Sequence, residues 1–422
     1  MSHPRCASTP PRRRDQAGVL EAAALAAEHA ESLVLSAARD IHGSVAGRVH
    51  RVVDRVAGGP TVTHRAHDGI AGLVYGGLGL GLKATAKGLR AADRLGLGGS
   101  IEDSPRGRFV VSAVNGLIGD RLATEGSPLA IEASVRHRGR DVPLVPGAVA
   151  EAFPDATDAL VVFVHGLCET EHYWDRRSRP RPADGQGSPA YGARLAVDEG
   201  WSPVYVRANT GLRVAESGVA LSSLLTRLVD VWPTDVRRIA LVGHSMGGLI
   251  VRSACAVSTE ADRDWTGRVT DVVLLGSPHL GSPVERSIAR GVRLANKVPE
   301  LAPFARVFEQ RSAGVLDLHD GPADEVAHVP HAQYHLVAAT LTRSPHHPLA
   351  ATVGDLLVPY RSAAGLLPDG TEIFPGADVL HVPGADHFDL LNHEDVYAAL
   401  RGWLRHASRG GARTGTRAEA HA

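Results

Sequence analysis

The chain has 422 residues, 44% of them hydrophobic and 22% charged, with a formal net charge of -1. That is globular composition with room for more than one compact unit. It lacks the basic excess that neutralises phosphates, which argues against a nucleic-acid partner, and its three cysteines (Cys6, Cys168 and Cys255) match neither a disulfide framework nor a zinc spacing.

The first residues are basic but lead into EAAALAAEHAE rather than an apolar core, against a secretory leader. Residues 1–15 and 407–422 lack periodicity and are expected to be disordered. Residues 16–124 read as a helical region whose role the sequence does not assign. Its most apolar stretch, Gly69–Leu82, is too short to span a bilayer. Glycine in a helix interior costs about 1 kcal/mol relative to alanine. Either close helix packing or a peripheral membrane contact through residues 69–89 is expected to offset that cost. Cytoplasmic residence is the default expectation, with that membrane contact as the alternative.

From about residue 125 the pattern changes. Residues 129–144 alternate around a turn-like RGRD and suggest an antiparallel hairpin. Apolar strands are expected at 160–164, 203–206, 239–242, 272–275, 335–339 and 379–382. Helices are expected between them, one of which sets Leu221, Leu225, Leu228 and Trp232 on a single face. Val396, Leu400, Trp403 and Leu404 mark a closing helix. Continuous apolar strands alternating with helices imply an α/β fold, a mostly parallel sheet covered on both faces. Ligands of such sheets bind beyond the carboxyl ends of the strands.

Gly243-His244-Ser245-Met246-Gly247 lies at such an end, between the strand IALV and the helix LIVRSACAV. G-x-S-x-G alone is a weak signal, but a strand-to-helix turn this tight holds the serine in strained geometry, and Gly243 and Gly247 prevent clashes. A serine needs a base, and the base needs an acid to fix its tautomer. His387, on the loop after the strand VLHV, is the preferred base; His381, His393 and His279 are the alternatives. Asp355 in TVGDLLVP is the preferred acid, because a carboxylate among apolar neighbours is costly unless paired. Asp386 is its rival, although residues adjacent in a chain rarely face each other well. Oxyanion donors are expected from the Met246 amide and from the Leu167 amide after the strand LVVFV, with His165 in a structural role.

Together, VFVHGL, LVGHSMGG, LLGSPHLGS, GDLLVP and PGADHF resemble the lipase/esterase branch of the α/β-hydrolase superfamily. They are similar to bacterial triacylglycerol lipases and to hydrolases like the inositol deacylase of glycosylphosphatidylinositol anchors. The resemblance covers roughly residues 125–406. It implies a Ser245-Asp355-His387 triad with Leu167 and Met246 at the oxyanion, and a helical cap at 283–332. The expected reaction is hydrolysis of a small-molecule or lipid ester through an acyl-enzyme, without cofactor or metal. Thioester cleavage or acyl transfer by the same triad is one alternative. Another is a membrane-associated binding protein with a secondary hydrolase domain. The polar insertion Arg177–Gly187 is a departure that would narrow access to the site.

Overall fold

A computed structural model describes residues 24, 84, 87–91, 105–127, 129–178, 189–260, 264–281, 312–320, 327–347 and 354–406. Both ends, the segment 69–82, nearly all of the insertion at 177–187 and most of the cap at 283–332 lie outside these residues. Two compact units divide the chain: residues 1–130 with 286–311, and residues 131–285 with 312–422. In the first, the main described element is α1 (Pro105–Thr124), which is interrupted at Ile118. There the buried Asn115 amide donates to the carbonyls of Val111 (3.0 Å) and Leu129 (2.7 Å). Among the described residues, no helix is long and apolar enough to cross a membrane.

The second unit is built on one eight-stranded sheet. In chain order its strands are β1 (Ser134–His137), β2 (Arg140–Asp141), β3 (Ala159–Val164), β4 (Ser202–Arg207), β5 (Arg238–His244), β6 (Val269–Leu275), β7 (Gln333–Thr340) and β8 (Asp378–Pro383). They lie side by side as β2-β1-β4-β3-β5-β6-β7-β8. The hairpin β1–β2 adds antiparallel to β4, and every pairing from β4 to β8 is parallel.

Parallel strands need crossovers, and helices supply them. The helices of this unit include α2 (Pro146–Ala152), α3 (Tyr191–Glu199), α4 (Val214–Val231), α5 (Met246–Glu260), α6 (Ala313–Asp320), α7 (Tyr360–Ala363) and α8 (Glu394–His406). The two-residue period of the strands sorts their side chains onto opposite faces. Leu160, Val162, Ile239, Leu241, Val272 and Leu274 pack with Leu221, Leu225 and Leu228 of α4 and with Leu249 and Ile250 of α5. Val161, Phe163, Ala240, Val242 and Val273 pack on the other side with Leu195 of α3 and with Val396, Leu400 and Leu404 of α8. Burial on both faces explains why these strands are continuously apolar.

Candidate active site

Ser245 sits between the last residue of β5 and the first of α5, with φ of +53°. A left-handed backbone is costly for a residue with a β-carbon and persists only where its surroundings impose it. Here the Ser245 N–H donates to the Leu275 carbonyl at the end of β6 (2.8 Å), and the Ser245 carbonyl accepts from Gly248 (3.1 Å). Gly247 lets α5 begin directly against the end of β3. A β-carbon there would fall on the Val164 carbonyl oxygen and within 2.5 Å of the His165 carbonyl oxygen. Both obstacles are backbone and cannot rotate away. Gly247→Ala is therefore expected to abolish accumulation of folded protein or lower its Tm by more than 10 °C, an effect on the order of several kcal/mol. Thermal unfolding checks it, and an unchanged Tm would contradict the packing described here.

Asp355 and His387 come from different loops and meet in the interior. His387 Nδ1 lies 2.8 Å from Asp355 Oδ2, with both side chains buried. The backbones are joined as well, since the His387 N–H donates to the Asp355 carbonyl (2.9 Å). Asp355 Oδ1 accepts from the amides of Leu357 (3.0 Å) and Val358 (2.8 Å). With one oxygen held by amides and the other facing the imidazole, the carboxylate is satisfied in an apolar setting.

The other candidate residues are engaged elsewhere. Asp386 caps the short 3-10 helix His387–Leu390, accepting from Phe388 and Asp389 (2.9 Å each). His279 is buried beside Arg252, with Nδ1 3.2 Å from the guanidinium. His381 contacts the Thr340 hydroxyl at 2.7 Å. His393 accepts from the Asp395 N–H (3.2 Å) at the start of α8.

The loop after β3 approaches Ser245 closely. A β-carbon at Gly166 would stand 2.9 Å from Ser245 Cβ, so only glycine fits. His165 fixes this loop. Its Nε2 accepts from the Ala208 N–H (3.0 Å), so its proton sits on Nδ1 and is donated to the Gly166 carbonyl (3.0 Å). Burial holds the His165 pKa below its ordinary value, consistent with that neutral tautomer. The Cys168 N–H donates to the Thr210 hydroxyl (3.2 Å) and the Gly166 N–H to Glu169 Oε2 (2.7 Å). Among the described residues the Leu167 N–H has no protein acceptor. The Met246 N–H opens α5, where first-turn amides have no intrahelical partner. Among the described residues these two amides are thus backbone donors that no protein acceptor takes up.

Ser245 and His387 line one cleft together with Leu167, Glu169, Pro278, Val315, Leu318, Leu357, Val358 and Phe388. Val315 and Leu318 come from α6, which lies within the span of the expected cap. The helix is tethered by Asp317, which accepts from the Val214 N–H (2.8 Å) and pairs with Arg213 (3.0 Å).

Glu169 and Glu171 are the charged groups that motif reading passes over. Glu171 is gripped by Arg136 (2.9 Å) and Arg207 (2.8 Å). Burial alone would raise its pKa, but the two guanidiniums hold it at about 2. An ionised glutamate here anchors the chain just beyond the Gly166 loop to β1 and β4. The available signal for both residues was a pair of carboxylates directly after the strand-end His-Gly, a place that demands partners.

Residues 207–348 match the family model described as PGAP1-like alpha/beta domain. No curated protein matches the chain. Solved structures that are similar include the lipase BlEst2 of Bacillus licheniformis in mature form, at 18% identity over 58% of this chain and 91% of that one, with a TM-score of 0.41. The metagenomic carboxyl esterase MGS0156 is 18% identical over 64% of this chain and 80% of its own (TM-score 0.37). The Pyrococcus furiosus esterase PF2001 is 14% identical over 60% and 83% (TM-score 0.38). The strand order of its mostly parallel sheet and the tight strand-to-helix turn at Ser245 give the present chain the α/β-hydrolase fold, and over residues 207–348 it is similar to PGAP1-like alpha/beta domains.

Proposed function

We propose that the chain is a serine hydrolase that cleaves carboxylic esters through an acyl-enzyme. The observation that carries this reading is the buried Asp355–His387 hydrogen bond (2.8 Å), whose imidazole lines the same cleft as the strained Ser245. In the reaction, Ser245 Oγ attacks the ester carbonyl carbon while His387 Nε2 takes the hydroxyl proton. The carbonyl oxygen, now carrying the negative charge, accepts from the N–H groups of Leu167 and Met246. His387 returns the proton to the departing alkoxide, leaving the acyl group on Ser245. Water then repeats the sequence, with His387 as base, and the acid is released. Asp355 keeps the Nδ1 proton in place and stabilises the imidazolium formed in each half-reaction.

Leu167, Val315, Leu318, Leu357, Val358 and Phe388 give the cleft an apolar wall. Such a wall favours an acyl chain, since each buried methylene contributes about 0.8 kcal/mol. Hydrolysis of p-nitrophenyl acetate, butyrate and octanoate by the purified full-length protein tests the proposal. Butyrate is expected to exceed acetate in kcat/KM by roughly tenfold, about two buried methylenes. Natively folded protein inactive on all three esters would refute the ester assignment, and activity confined to the matching thioesters would replace it with thioester cleavage.

A further inference from the structure

A second acid–imidazole pair lies directly behind the first. His244, the residue before Ser245, is wholly buried, and both of its ring nitrogens face oxygen. Nδ1 lies 3.1 Å from Glu169 Oε2, and Nε2 lies 3.2 Å from the backbone carbonyl oxygen of His387. A carbonyl can only accept, so Nε2 carries a proton. One further proton lies between Nδ1 and Glu169, and it decides whether the pair is charged. The oxygen facing Nδ1 also accepts from the Gly166 N–H at 2.7 Å, an arrangement that suits a carboxylate better than a carboxylic acid.

We infer that His244 is a standing imidazolium, held by the Glu169 carboxylate, and that its Nε2–H positions His387 by donating to that residue's backbone carbonyl. The catalytic part of this inference rests on the hydrolase reading above. The charged groups around the ring support it. Burial by itself opposes a charge on His244, yet the Glu169 carboxylate, the His387 carbonyl and Asp355 together push its pKa above the ordinary value. Glu169 is held below its own ordinary value, against burial, by His244, the Gly166 N–H and His165. The rings packed around it are Trp174, edge-on at 6.4 Å, Phe388 at 6.2 Å and the His387 imidazole at 4.7 Å.

The pair ties three loops together. Glu169 holds the Gly166 loop, His244 belongs to the turn that presents Ser245, and its Nε2–H reaches the loop bearing His387. Glu169 and His244 are positioning residues here: the proton abstracted from serine does not pass through them.

Selective 15N labelling of histidine in the full-length protein reads the charge directly. At about pH 8, where an unperturbed histidine is neutral, wild type is expected to show a doubly protonated histidine ring that disappears in His244→Gln, distinct from any signal of His335, whose ring nitrogens face Asp271 and Asp378. A neutral His244 with a bare Nδ1 would overturn the inference, whatever the activity. Glu169→Gln should convert the ring to its neutral form and lower kcat per titrated active site by roughly 10- to 100-fold, with KM within about threefold. Glu169→Asp, which keeps the charge, should restore the doubly protonated signal. A purely structural role would lower Tm and the titratable fraction but leave kcat per active site unchanged, and that outcome sinks the positioning claim. If wild type cleaves no ester, the hydrolase reading fails by itself, and the nitrogen signals still decide the charge state.

Discussion

Ser245→Ala is expected to lower kcat on the preferred ester by about six orders of magnitude, to the residual rate that oriented binding and oxyanion donors sustain. The size follows from what the hydroxyl does. Without Oγ no acyl-enzyme forms, and the carbonyl must instead be attacked by a water that no group holds in line. The substitution should leave the fold intact, because alanine keeps the β-carbon at φ +53° and the Ser245 N–H still donates to Leu275. Burst kinetics with a p-nitrophenyl ester, run beside thermal unfolding, separates the two effects. A folded Ser245→Ala protein with more than about one per cent of wild-type kcat would remove Ser245 as the nucleophile.

Asp355→Asn should cost about four orders of magnitude in kcat, through the tautomer of its partner. The two Leu357 and Val358 amides donate to Oδ1, which fixes that atom as the oxygen of any asparagine placed there. The amide NH2 must then point at His387 Nδ1, donor facing donor. His387 can relieve the clash only by moving its proton to Nε2, where a lone pair is needed to accept from serine. KM should change little, and the rate should recover at high pH as hydroxide replaces the lost base. If Asp355→Asn retains a tenth or more of wild-type kcat, the aspartate does not orient the base.

The central strands were legible because burial on both faces leaves one-letter runs of Val, Leu and Ile, as in Leu160–Val164. Expected and observed ends differ by up to three residues, as in 272–275 against Val269–Leu275, and in Pro203–Val206 against Ser202–Arg207 propensity gives way to pairing with β1 and β3. Ser245 could be proposed from five contiguous residues, and Asp355 from the cost of a carboxylate among leucines. That these meet His387 is a property of the sheet order, which no local pattern contains. Glu169 stayed hidden for the same reason. Its partners are an amide three residues back and an imidazole 75 residues on, and a lone glutamate in a loop looks alike whether solvated or buried. Val315 and Leu318 were read only as part of a general apolar cap, because eight residues of helix carry too little periodicity to tell a cleft wall from core.

The parallel sheet also has a temporal consequence. Each pairing that frames the site joins distant parts of the chain: Val164 meets Gly243, His244 meets Leu275 and Thr340 meets Pro383. Such contacts close late, since each requires a whole crossover to be in place. Helices α4 and α5 can gain structure locally, but the Asp355–His387 bond awaits β7 and β8. During synthesis from the amino end, the elbow emerges more than a hundred residues before its base. On the proposed mechanism, the nascent chain therefore carries its nucleophile without a base until the segment bearing Asp355 and His387 has been made and folded onto β7 and β8.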